Sequence, residues 1–207
     1  MSLWGRMFAA MYDRSMAATE KAVLRGRREG LLRDVTGSVL ELGGGTGANL
    51  AFYGPTVTKL VLTEPEEPMA RRLEQKLEKH SLPATVLRVA AEDLPFEANS
   101  FDFVVSTLVL CTVDDPAKAL AETHRVLKPG GKLVFLEHVR SDDPKLARWQ
   151  DRFHGVWRRA AFGCRCNRPT EDNIEAAGFS VVNLEHDTLH KAPPIVRPLI
   201  VGAAVRP

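Results

Sequence analysis

Val39-Leu40-Glu41-Leu42-Gly43-Gly44-Gly45-Thr46-Gly47-Ala48-Asn49 is the stretch that decides the fold. A short apolar run gives way to four glycines in five positions, and a segment free of glycine and proline follows. The pattern reads as a buried strand, a tight turn and a helix starting near Ala48. Glycine in such a turn allows positive φ and removes side chains that would block a ligand. A plain tight turn has the same composition, so the loop needs a second signal.

Glu64 supplies one. It ends the second expected strand, Lys59 to Thr63, and stands 21 positions after Gly43. An acid at roughly this distance from a glycine turn can accept hydrogen bonds from both ribose hydroxyls, where a solvated acid at a helix start is the plainer alternative. Pro65 and Pro68 suit a loop and a first helical turn, with the helix running to about His80. The loop also narrows the ligand. A pyrophosphate calls for G-x-G-x-x-G, whereas here the spacing is Gly43-x-Gly45-x-Gly47 with Glu41 just before it. A carboxylate there repels phosphate and suits an amino group or a sulfonium.

Outward from this centre the chain alternates strand and helix, the mark of a parallel sheet covered on both faces. Residues 84–90 read as the third strand. Ala91 and Glu92 follow it, placed to flank an adenine, and Leu94 and Phe96 suit either core packing or an adenine face. Strands are expected at 101–106 and 132–138, with Thr107 and Leu108 beyond the first of these. Asp115-Pro116 opens the helix between them, and Pro129-Gly130-Gly131 stops it. Helices are expected over 1–34, 144–161 and 170–177, with Gly178 as a left-handed C′ residue. Runs at 179–185 and 199–206 lie too close together for a crossover helix, so they pair as an antiparallel hairpin. That ending departs from a nucleotide dehydrogenase, which continues with further βα units.

The 207 residues carry 28 basic and 26 acidic side chains, a near-neutral total that gives no reason to expect nucleic acid. The charge is uneven. Residues 140–168 hold eight bases and three acids, and residues 64–102 hold nine acids and five bases. Three cysteines, Cys111, Cys164 and Cys166, make no disulfide framework or zinc-ligand spacing, so no metal is expected. They fit free thiols in a reducing, cytoplasmic setting. No apolar run approaches the roughly 20 residues that span a bilayer.

With these residues together, the chain resembles the class I S-adenosylmethionine-dependent methyltransferases. The matching stretches are 39–49, 62–69, 91–113 and 125–138, in the family order. The resemblance implies one Rossmann-like α/β domain with a seven-stranded sheet, helices on both faces and an antiparallel terminal strand. It implies S-adenosyl-L-methionine as cofactor and S-adenosyl-L-homocysteine as product. Glu41, Gly43, Gly45 and Gly47 should line the methionine part, Glu64 with Pro65 the ribose, and Ala91 and Glu92 the adenine. Thr107 and Leu108 should close over the cofactor. Thr107 to Val113 and Phe135 to Val139 look most like the alkyl thiol methyltransferases. Ubiquinone- and menaquinone-type C-methyltransferases and phospholipid N-methyltransferases share much of the pattern, including Tyr12-Asp13. The N-terminal membrane segment of the thiol group is not matched in these residues, so its membrane residence is not expected to carry over.

Methyl transfer from a sulfonium is an in-line displacement, so the protein has to align the nucleophile and exclude water. His138, at the C-terminal end of the fifth strand, is the candidate base or orienter for a small apolar acceptor; a histidine that satisfies a buried carbonyl is the alternative. Glu137 should point to the opposite face, and His154 and Cys111 are weaker candidates. The helices at 1–34 and 144–161 carry apolar residues at helical spacing (Trp4, Phe8, Met11 and Tyr12; Leu146, Trp149, Phe153, Val156 and Ala160). They read as packing onto the sheet or as a cap and lid over the acceptor. Lys145, Arg148, Arg152 and Arg159 opposite the second stripe also allow contact with an anionic membrane surface. Oligomeric state is open.

Overall fold

A computed structural model describes residues 3–161 and 163–207, with side chains described from Met11 onward. Seven strands form one sheet in the order β3-β2-β1-β4-β5-β7-β6. They are β1 (Gly37–Leu42), β2 (Val57–Thr63), β3 (Ala84–Leu87), β4 (Phe101–Thr107), β5 (Leu127–His138), β6 (Ser180–Thr188) and β7 (Pro198–Val205). β1 to β5 run parallel, while β7 is antiparallel to both β5 and β6. The strand order reverses at β1, whose neighbours are β2 and β4, and a ligand crevice opens at such a switch point, outside the carboxyl ends of the strands.

The central strands are continuous apolar runs because helices bury both of their faces. Alternation sends Leu40, Leu42, Val104, Leu133 and Phe135 to one face, where α4 (Pro116–Val126) and α6 (Thr170–Ala176) contribute Leu120 and Ile174. Val39, Leu60, Leu62 and Val105 take the other face, against Leu32 of α2 (Arg25–Leu32) and Leu73 of α3 (Glu67–Leu77). Leu136 continues this second face into a cluster with Leu24, Cys111, Cys164, Cys166 and Leu199. Asp115 caps α4 through the Lys118 amide, with Pro116 in the first turn.

Four local expectations are corrected or refined. The glycine loop leads only to a short 3-10 turn, Leu50–Phe52. Asn49 and Tyr53 are drawn inward to Glu41, and Gly54-Pro55 ends the segment. The N-terminal segment is helical throughout Leu3–Leu32, as expected, but not uniformly α-helical. α1 (Leu3–Thr19) and α2 are joined by a π-helical turn, Glu20–Leu24, that buries Leu24. β5 begins before Pro129-Gly130-Gly131, which bulges between the Phe101–Leu127 and Phe103–Lys132 pairs. The fourth concerns α5 (Pro144–Ala160), whose apolar stripe does not pack onto the sheet. Trp149, Phe153 and Val156 are 46, 37 and 67% exposed.

α5 is held instead by Gln150, which is fully buried. Its Nε2 donates to the carbonyls of Val139, Cys166 and Ile195, and its Oε1 accepts from the Ser141 amide. Trp157 faces inward to the Cys111 cluster. Among the described residues no helix is long and apolar enough to cross a membrane. The expected contacts of Trp4 and Phe8 lie outside the described side chains.

Candidate active site

Gly43, Gly45 and Gly47 all have positive φ, at 53°, 56° and 80°. Their surroundings differ. A Cβ on Gly43 would lie 2.8 Å from Val109 Cγ2, and one on Gly47 2.8 Å from Leu50 Cδ1. A Cβ on Gly45 would meet nothing nearer than the Gly43 carbonyl oxygen at 3.9 Å. Gly43 and Gly47 therefore serve packing, and Gly45 presents bare backbone to the open side of the loop.

Glu64 sits at the end of β2, 6% exposed. Its Oε2 accepts from the Gly45 amide at 2.9 Å and its Oε1 from the Glu66 amide at 2.9 Å. The sequence-predicted acid and loop are thus bonded to one another. Burial pushes the carboxyl up, and the two amides pull it down. A carboxylate offers about four lone-pair sites, so these two bonds leave room for two more. Pro65, next to it, is exposed on the rim.

Glu41 lies deeper than the sequence reading placed it. Its oxygens accept from Asn49 Nδ2 at 2.9 Å and Tyr53 Oη at 2.6 Å. Burial raises it to about 7, against the pull of Tyr53, Asn49 and Arg28. Arg28 is only 4% exposed and donates from Nη1 to Asn49 Oδ1 and Thr107 Oγ1, each at 2.8 Å. Asn49 Nδ2 also donates to Thr107 Oγ1 at 3.0 Å. One network thus ties α2, the glycine loop and the end of β4 beneath the crevice. Sequence reasoning missed Arg28, Asn49 and Tyr53, because nothing local marks an arginine on a helix for burial. It also gave no role to Asp13, which accepts from Thr46 Oγ1 at 2.5 Å and pairs with Lys76 at 3.0 Å. These bonds clamp α1 onto the loop and onto α3.

In the loop after β3, Ala91 is buried in the core cluster with Leu94. Glu92 Oε1 accepts from the Asp114 amide at 2.8 Å and the Asp115 amide at 3.3 Å, which brings the loop after β3 to the start of α4. Thr107 is buried, and Leu108 has φ 62°. That left-handed conformation is uncommon for a bulky residue, and such strain collects at ligand sites. Glu137 holds the turn that follows. It accepts from Ser106 Oγ (2.7 Å) and from the amides of Val109 (2.9 Å), Leu110 (3.0 Å) and Cys111 (3.2 Å). It points to the face opposite His138, as alternation required.

His138 is 7% exposed, and its Nδ1 is buried without a hydrogen-bond partner. Burial pushes it down to about 4, against a weaker upward pull from the backbone of Val196 and Pro198. The imidazole is therefore neutral at pH 7. A group with so low a value is a poor proton sink for a thiol but a competent hydrogen-bond acceptor. Cys111 is 1% exposed, and the neighbouring Cys164 together with burial holds its thiol well above the ordinary range, which removes it as a nucleophile. His154 is exposed and bonds to the Asp151 carbonyl of its own helix, away from the crevice.

Among the described residues no cluster of His, Cys, Asp and Glu has the make-up to hold a metal ion. Comparison with known proteins bears on the chemistry. The methyltransferase domain family matches residues 40–135. Thiol S-methyltransferase TMT1B of Rattus norvegicus is 38% identical over 186 residues, covering 86% of this chain and 73% of that protein. Thiol S-methyltransferase TMT1A of Homo sapiens is 32% identical over 203 residues, covering 96% and 83%. Among solved structures, a SAM-dependent methyltransferase of Thermotoga maritima superposes with a TM-score of 0.72 at 22% identity, covering 98% of this chain and 97% of that one.

Proposed function

Since this chain belongs to the S-adenosylmethionine-dependent methyltransferases, we propose that its crevice methylates a small apolar thiol or sulfide. The cofactor supplies a methyl group on a sulfonium that needs no further activation. The residues fit such a group. Gly45 leaves backbone open where a side chain would intrude, and Glu64 has unused acceptor capacity for a ribose diol. In this reading Gly43, Gly45 and Gly47 shape the bed for the methionine portion. Glu41 adds a buried acid behind it, Glu64 with Pro65 holds the ribose, and Ala91 and Glu92 flank the adenine. Thr107 and Leu108 close the crevice from β4.

The observation that carries the acceptor class is the orphaned Nδ1 of a neutral, buried His138 on the same sheet face as the apolar Leu136 cluster. An apolar surround excludes water, and one free acceptor atom suits a single S–H donor. His138 orients the thiol through Nδ1; as the sulfur takes the methyl group its proton becomes strongly acidic, passes to Nδ1 and is released from there to solvent. In the same reading residues 3–34 are a cap, and the basic segment around α5 is an insertion on the acceptor side. The relatives are thiol S-methyltransferases, which supports the same choice.

The test follows label from methyl-labelled S-adenosylmethionine to sulfide and short alkyl thiols, with a demethylated quinone as competitor. Methylated thiols are expected. Label in the quinone alone would assign the crevice to C-methylation instead.

A further inference from the structure

The outer face of α5 is unlike the rest of the surface. Trp149, Phe153 and Val156 follow one another at four- and three-residue steps, so they form a single ridge. All three are exposed, and the Trp149 and Phe153 rings meet edge-to-face at 5.4 Å. Lys145, Arg148, Arg152 and Arg159 form a second ridge beside the first, rather than on the far side as the sequence reading had them. Arg152 leans over the Phe153 ring at 5.9 Å. Arg158 and Arg165 join Arg152 and Arg159 around a shallow hollow next to Val156.

The excess charge of 140–168 divides cleanly. Arg168 is buried and donates to the Leu110 and Val113 carbonyls. Arg165 pairs with Asp114, and Arg140 with Asp151. Among the described residues, no carboxylate pairs with Lys145, Arg148, Arg152, Arg158 or Arg159. Aromatic side chains left in water beside five unpaired cations on one helix match a surface that is apolar below and negative at its boundary.

We propose that the outer face of α5 docks the protein on an anionic phospholipid bilayer, with Trp149 and Phe153 seated at the headgroup–acyl boundary and Arg148, Arg152 and Arg159 on lipid phosphates. Gln150 makes this feasible, because it anchors α5 from behind without using the apolar ridge. Charge complementarity favours lipid over a second copy of the chain, whose same face is equally basic.

The test is co-sedimentation of the full chain with neutral phosphatidylcholine vesicles and with vesicles containing phosphatidylserine. Two variants accompany it, Trp149→Ser/Phe153→Ser and Arg148→Glu/Arg152→Glu/Arg159→Glu. All five positions are exposed, and circular dichroism and cofactor affinity check that each variant is folded. Binding is expected to need phosphatidylserine, to weaken with salt, and to fall by at least about fivefold for each reversed arginine. Loss of the two rings should lower it by roughly tenfold or more. The proposal is overturned by absence of binding to anionic vesicles at low salt, or by wild-type binding in both variants. It is equally overturned if light scattering shows a dimer that the ring variant dissolves, or if the face takes RNA oligonucleotides and not vesicles.

Discussion

Glu41 and His138 are buried titratable groups with opposite effects on stability. Burial raises Glu41 from 4.5 to about 7, so its contribution is greatest below pH 4.5 and declines as pH rises toward 7. Burial lowers His138 from 6.5 to about 4, so its contribution is complete above pH 6.5 and is lost as pH falls toward 4. Each is worth about 3 kcal/mol over its window. Between pH 4.5 and 6.5 the two slopes nearly cancel, and single variants should separate them. Glu41→Gln should gain stability relative to the parent as pH rises from 4.5 to 7. His138→Gln should gain relative stability as pH falls from 6.5 to 4. Urea unfolding at several pH values checks both, and difference curves flat with pH would refute the assignment. Neither window was legible in the sequence, because a residue's burial depends on which elements cover it. The candidate identities were legible, since an acid before the glycine turn and a histidine at a strand end mark the crevice by position.

Elements meet here through a few polar anchors. Glu137 gathers the Ser106 hydroxyl of β4 and three amides of the turn after it, and so fixes the segment carrying Leu108 and Cys111. Glu137→Leu would leave those buried donors unpaired and should cost on the order of 3 kcal/mol or more, read by thermal unfolding. The glycine loop separates packing from binding. Gly43→Ala places a Cβ against Val109 and should lower stability. Gly45→Ala meets open space, so it should keep most of the stability, losing about 1 kcal/mol to its positive φ. The same variant should still bind S-adenosylhomocysteine much more weakly, because the new methyl group enters the ligand's bed. Sequence periodicity located α5 correctly and misjudged its orientation. A stripe of Trp149, Phe153 and Val156 predicts a buried face only if no other contact holds the helix, and Gln150 holds it from a different side.

At the scale of the molecule, the sequence carried the parallel sheet and its antiparallel ending, while the strand order came from the fold itself. Glycine turns, strand-end acids and a hairpin too short for a crossover are all local signals. The support beneath the crevice was not visible, because Arg28, Asn49 and Thr107 meet only through the fold. The uneven charge now has separate meanings. In the proposed reading, part of the acidic stretch forms the nucleoside side through Glu64 and Glu92. Part of the basic stretch is internal scaffolding through Arg168, part is paired through Arg140 and Arg165, and the remaining five cations lie on α5 with no carboxylate partner among the described residues. The crevice at the β1 switch point, with Glu64 as its ribose contact, is the central claim. Calorimetric titration of S-adenosylmethionine into the parent and into Glu64→Ala, with NAD as control ligand, tests it most directly. The account predicts no NAD binding and a loss of about 1.5–3 kcal/mol of cofactor affinity in the variant, roughly ten- to a hundredfold. Unchanged affinity in Glu64→Ala would contradict it.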